Sequence, residues 1–176
     1  MKIIASLIIL GILTSCSPYR IVNNHVDKEV DFKNYKTFSF TTDIEVQGLT
    51  RDIKNSSTIN EIKRAISSEL KSRGYHPDLK SDLLVNIGLV VQEKIQTRET
   101  NFRDAPRYVG QRRYSWKSET VEVGRYKEGT LSVDLVDVKQ NRLVWEAAVT
   151  TVLDKDSHRP ENVDKAVRAL FRKFPE

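Results

Sequence analysis

Hydrophobic residues recur along the chain with two periods, and the switches between them mark the elements. Lys36-Thr37-Phe38-Ser39-Phe40 alternates, which predicts a half-buried strand with Phe38 and Phe40 on one face. Residues 47–55, "QGLTRDIKN", read as a loop. Ile59, Ile62, Ile66 and Leu70 then recur at helical spacing, with Ala65 beside them. Thr58 and Glu61 have the spacing of a capping box, and Arg73-Gly74 supplies a basic last turn and a glycine stop. Leu83, Val85, Ile87, Leu89 and Val91 share one face of a long strand. The polar stretch from Arg98 to Lys117 reads as a long hairpin connection, and residues 114–129 alternate weakly. "TLSVDLVDV" turns Leu131, Val133 and Leu135 inward. Lys139-Gln140-Asn141-Arg142 is a turn, and Leu143, Trp145, Ala147 and Val149 return on one face to complete a β-hairpin. Val163, Ala166, Val167, Leu170 and Phe174 form the stripe of a second helix, opened by Pro160 and ended by Pro175.

The order is β, α, three or four β, then α. Helices segregated onto one face of a sheet give an α+β fold. The expected architecture is a two-layer sandwich: a mainly antiparallel sheet of four to six strands with both helices on one face. That face would carry Leu83, Val85, Ile87, Leu131, Val133, Leu135 and Trp145.

The N-terminus follows a different pattern. Met1-Lys2 is followed by eleven uncharged residues, Ile3 to Leu13, and then Thr14-Ser15-Cys16. An apolar run of that length fits a signal peptide and is too short for a spanning helix, which needs about 20 residues. Leu13-Thr14-Ser15-Cys16 resembles the bacterial lipobox. The resemblance implies lipid attachment at the Cys16 thiol, cleavage before it, and acylation of the new amine. Two or three acyl chains anchor a protein stably where one does not. Residues 1–15 are thus expected to be a lipoprotein signal peptide, 16–30 a lipidated tether, and 31–176 a single α+β domain. The residues after Cys16, Ser-Pro-Tyr-Arg, lack acidic sorting signals, which points to the outer membrane and its periplasmic face.

Removing the leader leaves 176 − 15 = 161 residues, one domain with room for a core that needs neither disulfide nor metal. The chain has 29 Lys+Arg against 24 Asp+Glu, and only Lys2 leaves with the leader, so the mature net charge is 28 − 24 = +4. Much of this excess lies in one place. Between Arg98 and Lys117 six basic residues face two acidic ones, interleaved with Phe102, Tyr108, Tyr114 and Trp116. Arg103, Arg107, Arg112, Arg113 and Lys117 are the candidate contacts to an anionic partner, either an envelope protein or an envelope polymer. A periplasmic address argues against nucleic acid.

"YKTFSF", the Ile-rich helix ending in "SRGY", "SDLLVNIGL", "YKEGTLSVDLVDVKQNRLVWEAAV" and the terminal "KFP" together resemble the domain-of-unknown-function family 4136 of bacterial lipoproteins. The resemblance spans residues from about 20 to 176. It implies an outer-membrane-type lipoprotein with an α+β domain and no assigned activity. Ala147 stands near the place where family members carry a glycine.

Catalytic and metal-binding patterns are weak. His25, His76 and His158 lie in a tether, a loop and a helix lead-in, and no metal or other cofactor is expected. "DKDSH", residues 154–158, reads as a solvated helix lead-in. Asp134 and Asp137 point to opposite faces of one strand. No G-x-S-x-G elbow or phosphate loop is present. The expected function is a non-enzymatic, lipid-anchored binding or structural module. The alternative is an envelope hydrolase assembled from two or more of Asp82, Asp134, Asp137, Glu146 and Asp154. A third reading, strand addition to a partner sheet, requires a long exposed edge at the first strand or at residues 113–127.

Overall fold

The structure, a computed structural model, describes residues 18–42, 44–48, 57–101, 104 and 117–175. Their elements in chain order are β1 (Arg20–Val26), β2 (Thr37–Phe40), β3 (Glu45–Gln47), α1 (Ser57–Ser72), β4 (His76–Pro77), β5 (Leu83–Glu99), β6 (Thr120–Asp137), β7 (Arg142–Leu153) and α2 (Pro160–Phe171). A 3₁₀ turn, Phe32–Asn34, links β1 to β2. The strands form one sheet in the order β1-β7-β6-β5-β2-β4, with β3 also on β5. The described residues therefore form an α+β fold with two helices.

The sheet has seven strands rather than four to six, and it is mixed. β1–β7, β7–β6 and β6–β5 pair antiparallel, whereas β2 and β3 run parallel to β5 and β4 runs parallel to β2. Strand direction is set by the crossover through α1, and period-two alternation carries no information about it.

The N-terminal stretch expected as a tether holds the edge strand β1, paired along β7 from Arg20↔Thr150 to Val26↔Trp145. A bulge between Ile21 and Asn23 breaks its alternation, and only Ile21 and Val26 of the strand pack toward the core, so its periodicity is poor. From Thr120 onward the weakly alternating stretch before Gly129 is part of β6, one continuous 18-residue strand, and residues 114–116 of it lie outside the described residues. Leu143 was expected inward. A bulge between Leu135 and Val136 gives Val144 and Trp145 the buried positions and turns Leu143 to solvent at 36% exposure. Thr58 lies inside the first turn of α1, so the capping-box role does not hold.

Alternate residues of β5, β6 and β7 join the helix stripes in one core. Leu83, Val85, Leu135 and Trp145 are fully buried, as are Ile66, Leu70, Val167 and Leu170 from the helices. The Trp145 ring meets Phe171 and Phe174 at 5.2 and 5.1 Å between centroids, and its Nε1–H donates to the Lys173 carbonyl at 3.3 Å. α1 ends as its sequence predicts. Gly74 takes φ +90°, the Tyr75 N–H donates to the Leu70 carbonyl and the Gly74 N–H to the Lys71 carbonyl. This is the Schellman pattern, which only glycine adopts without strain.

β5 and β6 outrun the rest of the sheet. β7 ends at Leu153, opposite Lys127, while β5–β6 pairing continues from Lys94↔Tyr126 to Glu99↔Thr120. The result is a two-stranded arm with half-exposed Ile95 and Val123.

Candidate functional site

The second face of the sheet is built from the residues that alternate with the core positions. Register places Asn86, Asp134, Glu146 and His25 in one row across β5, β6, β7 and β1. Gly88, Ser132, Ala148 and Asn23 form the next row. The small side chains of this second row leave a shallow floor. β2 leaves β5 at Phe40↔Val85 and β3 rejoins it at Glu45↔Gly88, so the edge is interrupted opposite Asn86 and Ile87. At this break lies a cavity of about 490 Å³ lined by Thr41, Thr42, Glu45, Asn86, Ser132 and Asp134 among others.

Asp134 has the most perturbed environment there. Its Oδ1 is shut from solvent and has no hydrogen-bond partner. Burial, reinforced by the charges of Glu146 and Glu45, pushes its carboxyl up to about 6. The folded protein thus holds this proton more tightly than the unfolded chain, whose Asp titrates near ~3.9. The resulting stabilisation is complete below that value and is lost as pH rises through about 6. Asp134→Asn should therefore raise stability at pH 7.5 by on the order of 1–2 kcal/mol, discounted for partial solvent screening, with the gain fading toward pH 4. Urea unfolding at both pH values measures it. Equal or lower stability of the variant at pH 7.5 would contradict the assignment.

The other carboxylates singled out in the sequence hold the backbone. Asp82 Oδ2 accepts from the Lys36 and Thr37 N–H groups and from Thr37 Oγ1, at 2.9, 3.1 and 3.0 Å, which lowers its pKa and ties β2 to the start of β5. Burial opposes ionisation of Asp137, but the Gln140 N–H and the Tyr35 hydroxyl outweigh it, and its pKa is lowered. Burial, reinforced by the same contact, pushes the Tyr35 hydroxyl up to about 12. Asp154 accepts from Ser157 Oγ and the Asp156 N–H ahead of α2. Of the five candidate carboxylates only Asp134 lines the cavity; Glu146 faces it across the strand pair and accepts from Asn23. Among the described residues no three His, Cys, Asp or Glu side chains are grouped to hold a metal ion.

Cys16, Arg103, Arg107, Arg112 and Arg113 lie outside the described residues, whereas Lys117 is exposed just ahead of β6. Arg98, counted in the same basic stretch, is already engaged. It forks onto Asp104 at 2.7 and 2.9 Å and holds that carboxyl at about 2. Thr100 and Glu119 close the ladder beyond the arm through the Thr100 N–H to the Glu119 carbonyl and the Glu119 N–H to Thr100 Oγ1. Sequence reasoning missed Glu45 and the burial of Asp134. Both depend on cross-strand register and on the break between β2 and β3, for which no local motif exists.

Among the described residues a mixed seven-stranded sheet with two helices, a polar row on one sheet face and a projecting arm defines an α+β domain. The chain belongs to the family described as Domain of unknown function (DUF4136), which it matches over residues 22–176. No curated protein matches the chain. Among solved structures it is similar to a PDZ domain protein from Parabacteroides distasonis, with a TM-score of 0.56 and 20% identity over 90% of this chain. The chain spans 35% of that protein's length. It is also similar to PelC of Paraburkholderia phytofirmans, solved as a dodecamer (TM-score 0.45, 11% identity, 86% of this chain and 96% of that one). A further similarity is to a neuraminyllactose-binding hemagglutinin homolog from Helicobacter pylori (TM-score 0.47, 13% identity, 82% of this chain and 85% of that one). These likenesses concern the fold alone.

Proposed function

We propose that the protein is a lipid-anchored lipoprotein of the bacterial outer membrane that faces the periplasm and acts by binding rather than by catalysis. The carrying observation is the position of Cys16. It follows an eleven-residue apolar run and stands four residues before Arg20, the first residue of β1, so cleavage there leaves every described element whole. Among the described residues no helix is long and apolar enough to cross a membrane, so on this reading the acyl chains at Cys16 supply the attachment. We read the architecture as two layers, with both helices over one face of the sheet.

The contact region on this reading is the connection at the end of the β5–β6 arm, with Arg103, Arg107, Arg112, Arg113 and Lys117 directed to anionic envelope groups. Reversing Arg107, Arg112 and Arg113 to Glu in the lipid-free domain should reduce its retention on isolated envelopes. Unchanged retention would remove this stretch from the binding account.

A second reading, an envelope hydrolase, draws on Asp134 alone, a carboxyl raised to about 6 beside Glu146 in a cavity. Asp82, Asp137 and Asp154 are committed to the backbone, which is why the binding reading is preferred.

A further inference from the structure

The chain leaves the fold toward Cys16 at a defined place. Tyr19 packs against the core, and its hydroxyl donates to the Asn162 carbonyl in the first turn of α2 at 3.1 Å. Arg20 lies opposite Thr150, which pairs with Thr130, which pairs with Val90. β1 runs antiparallel to β7, so the chain before Arg20 heads past the C-terminal end of β7. The arm projects in the same direction.

The two reaches differ. From Arg20 back to Cys16 is four residues, which span at most about 14 Å when fully extended. From Val90, in the row of Arg20, to Glu99 is nine residues of strand, about 30 Å. The arm therefore extends roughly 15 Å beyond the farthest point at which the lipidated residue can lie. With the acyl chains in a bilayer, an arm directed at that bilayer has no room to stand clear of it.

We infer that the β5–β6 arm lies against the surface of the membrane that carries the anchor, and that this lipid surface is its partner. The inference rests on the lipidation of Cys16 proposed above. Half-exposed Ile95 and Val123 give the arm apolar contacts for the interfacial zone, and Lys94 and Lys117 bring cations to the headgroups, Arg125 being held by Glu122 at 2.7 Å. Weak contacts suffice, because the anchor keeps the arm at a high effective concentration next to the lipid. A two-stranded ribbon without a third strand is marginal in water, and the surface would also steady it.

The chain has a single cysteine, whose thiol the lipid consumes, so one introduced thiol can be labelled selectively. The full lipidated protein is reconstituted into phosphatidylethanolamine–phosphatidylglycerol vesicles that contain brominated lipid. An environment-sensitive fluorophore is placed at Thr97→Cys on the arm or at Lys139→Cys in the β6–β7 turn at the opposite end; both positions are exposed. The Thr97 label should lose emission to the brominated lipid while the Lys139 label keeps it. Equal emission from the two labels, with the protein in the detergent phase on partition, overturns the arm placement. A protein that partitions to the aqueous phase overturns the lipidation reading instead, and the inference with it.

Discussion

Truncating Trp145 to alanine is expected to cost the domain about 3–5 kcal/mol, a fall in Tm on the order of 10 °C for a domain of this length. Trp145 is fully buried, and the bulge that follows Leu135 sets its ring between Phe171 and Phe174. The substitution removes the ring contacts that join β7 to α2 and leaves the Lys173 carbonyl without its Nε1–H donor. These losses add to the cavity left behind, which neighbours fill only in part. Leu143→Ala, two residues away on the same strand, should cost under about 1 kcal/mol because Leu143 already faces solvent. Urea unfolding of the two variants measures both. Equal losses would mean that the β7 bulge is misplaced.

The contrast between Trp145 and Leu143 also marks how far the sequence could be read. The helices were legible because their stripes repeat over three or four turns and end in local signals, such as Gly74 at φ +90°. The β6–β7 hairpin was legible because one face alternates on each side of a short polar turn. β1 was not, since a bulge interrupts its pattern and its outer edge is solvated. The parallel placement of β2 beside β5 was not, because it arises from a crossover and from the Asp82 clamp between residues 45 positions apart. The polar row on the second face stayed hidden for the same reason. Asn86, Asp134 and Glu146 come from three strands and become neighbours only through register.

The lipidation proposed at Cys16 rests on local sequence alone, and the second large effect is expected there. On the proposed reading Cys16→Ala should release the protein from the membrane fraction, since among the described residues no helix is long and apolar enough to span a membrane. The substitution lies before β1, so the soluble form should keep the wild-type unfolding transition. Retention in the membrane would mean that another segment holds the protein there. Release together with loss of cooperative unfolding would mean that the residue at position 16 itself supports the fold.

The most direct test of the account is the mass of the N-terminal peptide from protein extracted from membranes. A chain that begins at Cys16 and carries thioether-linked and amide-linked acyl groups is the predicted result. A chain that begins at Met1, or at an unmodified Cys16, would contradict it.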